Sequence, residues 1–155
     1  LINLMPIAIR NDKIDLSSEN KTEELAKKFL KKLKPGNVIF LYGEMGVGKT
    51  TFVRYLINAF QKKNKLHLIE ITSPTFNILN EYQINHLKIN HYDLFRIKSI
   101  QEIKNLALFE DIKNSITLIE WPQLIKKKPN NLIELTFRYE KDHQKRSVKI
   151  KGLKF

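Results

Sequence analysis

The chain has 155 residues, and 42% of them are hydrophobic, which is enough for one domain with a substantial core. It contains no cysteine, which excludes a disulfide framework, a cysteine-ligated zinc site and a thiol nucleophile. The formal net charge is +12, and we treat residues 1–155 as a single domain.

The first third of the chain predicts one edge strand and one helix. Residues 4–10 favour a short strand, which Pro6 restricts to the edge of a sheet. Residues 17–20 supply helix-capping side chains, and residues 34–36, Lys-Pro-Gly, end the helix. Between them, apolar residues recur at helical spacing: Leu25, Phe29, Leu30 and Leu33. Residues 1–9 lack the basic flank and cleavage site of a signal peptide, and no apolar run approaches a membrane span, so we expect a cytoplasmic protein without membrane contact.

A complete phosphate-binding loop follows. Residues 43–50 read Gly-Glu-Met-Gly-Val-Gly-Lys-Thr, the G-x-x-x-x-G-K-[ST] pattern, between an apolar strand at 38–42 and a helix that runs to about Lys62. Glycines allow backbone N–H groups to surround an anion, and the helix start adds its positive dipole end. Lys49 is expected to reach the β and γ phosphates, and Thr50 to bind magnesium. The predicted nucleotide contacts are Glu44, Met45, Gly46, Val47, Gly48, Lys49, Thr50 and Thr51.

The rest of the chain mixes strands with one short helix. Strands are predicted at 68–72, 77–83, 87–92 and 116–119, a helix at 100–109, and a closing hairpin from residues 132–139 and 147–151. Strands and helices around a phosphate loop predict an α/β fold, a P-loop NTPase-like three-layer sandwich with a mostly parallel central sheet. The paired strands after Thr75 are expected to make this sheet mixed.

A triphosphatase also needs a carboxylate near the metal, and two positions fit. Asp93 and Glu120 each follow a predicted strand. Glu120 is preferred because its strand is the more hydrophobic, as expected for a central strand buried on both faces. Ser73-Pro74-Thr75 ends another predicted strand, and its hydroxyls either face the γ-phosphate or belong to a plain turn. Arg96 is either a charge partner in the transition state or an ion pair within the fold.

Four blocks taken together resemble one protein family. In chain order they are residues 43–54 (Gly-Glu-Met-Gly-Val-Gly-Lys-Thr-Thr-Phe-Val-Arg), 73–76 (Ser-Pro-Thr-Phe), 91–96 (His-Tyr-Asp-Leu-Phe-Arg) and 119–122 (Ile-Glu-Trp-Pro). The set is similar to the signature of the TsaE family, small bacterial ATPases of tRNA threonylcarbamoyladenosine synthesis. The resemblance implies an α/β P-loop protein that hydrolyses ATP weakly alone. It also implies two partner proteins, TsaB and TsaD, which modify adenosine 37 of tRNAs that read codons starting with A, so that contact with tRNA is indirect.

The resemblance also implies roles for individual residues. Thr50 and Glu120 become the magnesium ligands, Asp93 a residue needed for hydrolysis or coupling, and residues 73–75 a switch-like segment. Thr22 is expected near the adenine and Trp121 beside the site, and Arg146 or Lys145 is the basic residue that approaches the nucleotide. The catalytic set is therefore Lys49, Asp93 and Glu120.

The sequence departs from the family at two places. Phe76 and Phe95 stand where tyrosines are common. The part from Pro129 onward matches only by its strand pattern.

Two other functions compete with this interpretation. A P-loop small-molecule kinase needs several arginines on a lid, but the five arginines of this chain are scattered. A nucleotide-dependent interaction module would bind without turnover. Residues 64–67, Asn-Lys-Leu-His, lack the aspartate of a guanine motif, which favours ATP. The charge excess is mostly lysine in runs such as 126–128, typical of a solvated surface, so we expect only weak electrostatic attraction to RNA.

Overall fold

A seven-stranded mixed sheet forms the centre of the computed structural model, which describes residues 13–155. The strands are β1 (Lys13–Asp15), β2 (Val38–Tyr42), β3 (Leu79–Ile84), β4 (Leu87–Asp93), β5 (Ser115–Glu120), β6 (Leu132–Tyr139) and β7 (Arg146–Lys151). The helices are α1 (Glu19–Lys32), α2 (Lys49–Lys63) and α3 (Ile100–Asn105). Short 3₁₀ turns lie at Ile112–Asn114 and Lys141–His143.

The centre of the sheet is parallel and its edges are antiparallel. The strand order is β1-β7-β6-β2-β5-β4-β3. β2 pairs in parallel with β5 and β6, and β4 pairs in parallel with β5, whereas the outer pairs β3–β4, β6–β7 and β1–β7 are antiparallel. This confirms the predicted α/β class, the mixed sheet and both predicted hairpins.

Helices cover the two faces of the sheet unequally. On one face, α1 and α2 pack their apolar sides, which include Phe29 and Phe52, against Ile39, Leu41 and Leu118. The other face buries a smaller cluster that includes Phe40, Tyr92 and Ile119, covered by α3 and by loops. Every residue of β5 is buried, as expected for a strand that lies between two parallel neighbours inside a sandwich.

The helices begin where the sequence indicates. Ser18 caps α1, its hydroxyl accepting a hydrogen bond from the Lys21 amide, and Lys31 and Lys32 lie in the last turn, where they complement the helix dipole. Ser99 caps α3 in the same way through the Glu102 amide. Across residues 13–155, no helix is long and apolar enough to cross a membrane.

Two sequence predictions are wrong in whole or in part, and a third concerns residues that the structure does not describe. The strand predicted at 68–72 is wrong: this segment has no strand structure, and Leu68 and Ile69 are half exposed, whereas Ile71 is buried. The position beside β5 is occupied by β4, whose other side is covered by β3, so no central position remains for a strand here. The helix predicted at 100–109 ends at Asn105. The predicted strand at 4–10 lies outside the described residues.

Candidate functional site

Three neighbouring parallel strands bring the predicted site residues to one edge of the sheet. The phosphate loop follows β2, Asp93 is the last residue of β4, and Glu120 is the last residue of β5. Glu120 is the cross-strand partner of both Asp93 and Leu41. The carboxyl ends of parallel strands form the ligand-binding edge of an open α/β sheet, and the loop and the two carboxylates meet at this edge.

Glycines determine the path of the phosphate loop. Gly43 has a φ of 146°, and a Cβ there would lie 2.8 Å from Val47 Cγ1 and 2.9 Å from the Phe137 carbonyl oxygen. Gly48 has a φ of 117° and stands at the N-cap of α2. The loop can therefore turn tightly over β6 and lead directly into α2. The first-turn N–H groups of a helix have no partners within the helix, so they are available to an anion at this loop.

Lys49 is a buried cation held by the loop itself. Its side chain is 5% exposed, and its Nζ donates hydrogen bonds to the backbone oxygens of Gly43 and Glu44, the latter at 3.0 Å. The ammonium also lies 4.1 Å from the centre of the Trp121 ring. Burial lowers the pKa of Lys49, although the negative charges of Glu120, Asp93 and Glu44 act in the opposite direction.

Hydroxyl groups connect the two buried carboxylates. Thr50 Oγ1 donates to Glu120 Oε1 at 2.8 Å. Ser73 Oγ donates to Asp93 Oδ2 at 2.8 Å and lies 3.5 Å from Glu120 Oε2, and Thr75 Oγ1 donates to Ser73 Oγ at 3.2 Å. The sequence predicted that Ser73 and Thr75 follow a strand. They instead reach the site from the loop that connects α2 to β3.

The oxygen atoms at this edge suit a magnesium ion. Thr50 and Glu120 offer a hydroxyl and a carboxylate, the hard oxygen donors that Mg²⁺ prefers, and their oxygens already lie within 2.8 Å of each other. Within residues 13–155, no cluster of three or more His, Cys, Asp or Glu side chains forms a protein-only metal site. Magnesium at phosphate sites uses one or two carboxylates together with phosphate oxygens and water. The donor set therefore fits a metal that arrives with a nucleotide.

Two adjoining cavities, which share lining residues, contain most of the predicted contacts. A cleft of about 320 Å³ is lined by Met45, Gly46, Gly48, Lys49, Thr50, Thr51, Ser73, Thr75, Asp93, Phe95, Glu120 and Trp121. A second cavity of about 180 Å³ shares Gly48 and Thr51 with it and adds Thr22, Val47 and Arg146. Thr22 and Arg146 thus lie together beside the loop. Lys145, the alternative to Arg146, lines a separate depression with Glu140 and Asp142. Glu44 contacts Lys49 through its backbone oxygen.

His91 was not assigned a role from the sequence, and Trp121 was expected only to lie beside the site. His91 is fully buried, and its Nε2 lies 3.2 Å from Glu120 Oε2. Trp121 has a φ of 59°, an uncommon conformation for a bulky residue, and its ring lies against Lys49. The sequence signals for His91 were its place at the start of the block 91–96 and a polar residue on the apolar side of the β4 pattern.

Comparison with known proteins gives consistent matches. Residues 16–148 match the family model described as "Threonylcarbamoyl adenosine biosynthesis protein TsaE". A tRNA threonylcarbamoyladenosine biosynthesis protein TsaE from Rickettsia bellii is 42% identical over 136 residues, covering 87% of this chain and 92% of that protein. The protein of the same name from Aquifex aeolicus is 36% identical with the same coverage. The crystal structure of Bacillus subtilis YdiB superposes with a TM-score of 0.67 at 23% identity, covering 89% of this chain and 82% of YdiB, which supports the fold.

Proposed function

This chain belongs to the TsaE family of threonylcarbamoyl adenosine biosynthesis proteins, and from that premise we propose that it is the ATPase component of a complex that modifies tRNA. It binds ATP with magnesium and hydrolyses it weakly alone. Hydrolysis drives turnover of the TsaB and TsaD proteins, which place the threonylcarbamoyl group on adenosine 37 of tRNAs that read codons starting with A. Its contact with tRNA is indirect, through that complex, and it acts in the cytoplasm.

The observation that carries this proposal is the contact between Thr50 and Glu120. A threonine at the end of a phosphate loop and a carboxylate at the end of the neighbouring strand lie 2.8 Å apart, with Lys49 beside them. This is the set of groups needed to hold a metal-bound triphosphate. Lys49 would exchange its two backbone oxygens for phosphate oxygens, and the α2 amides would bind the same anion. Thr50 and Glu120 would hold the magnesium ion, which supplies electrostatic stabilisation of the charge on the phosphates.

Asp93 completes the proposed catalytic set. Its Oδ2 accepts a hydrogen bond from Ser73 and its Oδ1 accepts one from the Phe95 amide, so the carboxylate is fixed where it lines the cleft. A fixed carboxylate in this position orients an attacking water or couples the segment 73–75 to the state of the nucleotide. The adenine is proposed to lie in the second cavity, near Thr22, with Arg146 at its edge.

The decisive experiment measures ATP turnover of the purified chain alone, with TsaB and TsaD together, and with each partner singly. We expect a marked increase only with the complete pair. A rate that the partners do not change would contradict coupling. Phosphate transfer to common nucleosides or to shikimate-type acceptors would instead support a small-molecule kinase.

A matched pair of variants tests the metal site. Glu120→Ala removes a proposed metal ligand and should weaken ATP binding with magnesium more than ATP binding in EDTA, as measured by calorimetry. Glu110→Ala, at an exposed position outside the cleft, should change neither. If Glu120→Ala weakens ATP binding equally with magnesium and in EDTA, Asp93 and not Glu120 would be the proposed metal ligand.

A further inference from the structure

His91 is the one histidine of the chain that lies inside the sheet. His67, His86 and His143 are exposed, whereas His91 is fully buried on β4. Its cross-strand partner is Leu118, and it shares a face of the sheet with Ile89 and Ile116. An apolar residue is expected at such a position, so the imidazole calls for a specific explanation.

The contact made by the ring gives that explanation. Nε2 lies 3.2 Å from Oε2 of Glu120, and the carboxylate is itself only 2% exposed. The other carboxylate oxygen, Oε1, accepts the hydrogen bond from Thr50. Oε2 also lies 3.5 Å from Ser73 Oγ, so His91 is its nearer partner, and Oε1 is the oxygen that faces the proposed metal position.

The surroundings of the ring fix which nitrogen carries the proton. Nδ1 is buried and has no hydrogen-bond partner among residues 13–155. A proton on Nδ1 would leave a buried N–H unsatisfied, and it would set the Nε2 lone pair against a carboxylate oxygen at 3.2 Å. A proton on Nε2 avoids both penalties, because the ring then donates to Glu120.

We propose that His91 is a positioning residue that holds Glu120 by an Nε2–H···Oε2 hydrogen bond and so directs Oε1 toward Thr50 and the metal. The inference rests on the proposed function, because the metal belongs to that proposal. Hydrogen-bonded partners of metal-ligating side chains commonly fix the orientation of the ligand, and their loss weakens metal binding. His91 would not touch the nucleotide, because it acts through Glu120.

The first test needs neither nucleotide nor metal. In the uniformly ¹⁵N-labelled protein at pH 7.5, the ring nitrogens of His91 are assigned by comparison with His91→Gln. We expect a protonated Nε2, with a proton that is protected from exchange with water. A ring that carries its proton on Nδ1 and has a bare Nε2 would overturn the proposal.

The second test uses two variants of similar shape. In His91→Gln the side-chain amide places an N–H donor the same number of bonds from Cβ as Nε2, whereas His91→Met has no donor. We expect His91→Met to lose about tenfold or more in affinity for ATP with magnesium, and His91→Gln to keep most of it. ATP binding in EDTA should be the same in both variants, and circular dichroism and thermal melts check that both are folded.

The outcomes separate this inference from the proposed function. Wild-type protein whose ATP affinity does not respond to magnesium would contradict the proposed function, whatever the proton position on His91. Wild-type protein that responds to magnesium, together with a His91→Met variant that responds equally, would contradict the positioning role alone. An equal loss in His91→Met and His91→Gln would also contradict it, because the donor would then be irrelevant.

Discussion

Lys49 is a cation enclosed by the loop that leads into its own helix. The residue is almost fully buried, and its hydrogen-bond acceptors are two neutral backbone oxygens. Neutral acceptors compensate a buried cation less well than phosphate oxygens, because hydrogen bonds between charged groups are stronger. A bound triphosphate is therefore a better partner for Lys49 than the loop that holds it in the protein alone.

This environment predicts a pH-dependent affinity. Burial lowers the pKa of Lys49 from 10.5, the ordinary value, and bound phosphates would raise it again. The affinity for ATP is then highest and constant at pH values below the lowered pKa, and it falls as the pH rises through that pKa. Calorimetric titrations with ATP in EDTA between pH 7 and pH 10 should show this fall beginning below 10.5.

Variants of α2 supply the controls for this measurement. Lys49→Ala should bind ATP at least about tenfold more weakly, as expected for loss of a charged hydrogen bond, and should show little pH dependence. Lys62→Ala, in the exposed last turn of the same helix, should behave like the wild type. Unchanged ATP affinity in Lys49→Ala would exclude the phosphate loop as the binding site.

The fluorescence of Trp121 should report the binding of ATP at Lys49. It is the single tryptophan of the chain, and the Lys49 ammonium lies 4.1 Å from its ring. Because a phosphate would draw that ammonium away from the ring, we expect ATP to change the tryptophan emission in a saturable way. Lys49→Ala should remove most of the change. A tryptophan signal that ignores ATP, while calorimetry detects binding, would contradict the proposed movement of Lys49.

Individual residues were predictable where the signal is local. The phosphate loop is a pattern of eight consecutive residues, so its spacing alone identifies Lys49 and Thr50. His91 and Glu120 are 29 positions apart and meet only because β4 and β5 pair in parallel. Ser73 and Asp93 are 20 positions apart and meet across a loop of irregular backbone. Hydrogen bonds between residues so far apart depend on how the strands and loops pack. The pattern of a single sequence does not show which side chains this packing brings together.

Among the elements, α2 connects the site to the core. Its first turn carries Lys49 and Thr50, and its buried side, which includes Phe52 and Leu56, packs on the sheet. Phe52 is fully buried, and its ring meets Phe29 of α1 edge-on at 5.1 Å and Phe137 of β6 at 6.1 Å. Packing of this side therefore determines where the helix start lies relative to β5 and Glu120.

Removing the Phe52 ring should be costly. Phe52→Ala is expected to lower the free energy of unfolding by about 3–5 kcal/mol, from lost burial and the cavity that remains. Urea denaturation measures this quantity. Lys63→Ala, at an exposed position of the same helix, should change it by less than about 0.5 kcal/mol. A loss below 1 kcal/mol for Phe52→Ala would mean that α2 is not anchored through this ring.

Elements were predictable when their pattern was long or flanked by clear stop signals. α1, β2, β5 and both hairpins lie at or within two residues of their predicted positions. The run at 68–72 has the composition of a strand, yet the central positions on both sides of β5 are filled by β2 and β4. Composition cannot reveal this competition, because it is decided between segments far apart in the chain.

At the scale of the whole molecule, the site joins segments from across the chain. Thr22 comes from α1, the loop from between β2 and α2, Asp93 from β4, Glu120 from β5 and Arg146 from β7. A ligand that contacts all of them would bind the folded chain and not the unfolded one. Its binding free energy then adds to the stability of the fold.

This linkage predicts a large thermal shift. At an ATP concentration of 100 times Kd with magnesium, the added stability is about 2.7 kcal/mol, which for a chain of this size corresponds to a rise in Tm of about 5–10 °C. Differential scanning calorimetry should show the full rise in the wild type and about half of it or less in Lys49→Ala, because a tenfold weaker affinity leaves about 1.4 kcal/mol of added stability at the same ATP concentration. A wild-type shift below about 1 °C at saturating ATP would mean that the nucleotide does not hold these segments together. A full shift retained in Lys49→Ala would place ATP elsewhere on the molecule, because that variant lacks the ammonium on which the phosphates depend.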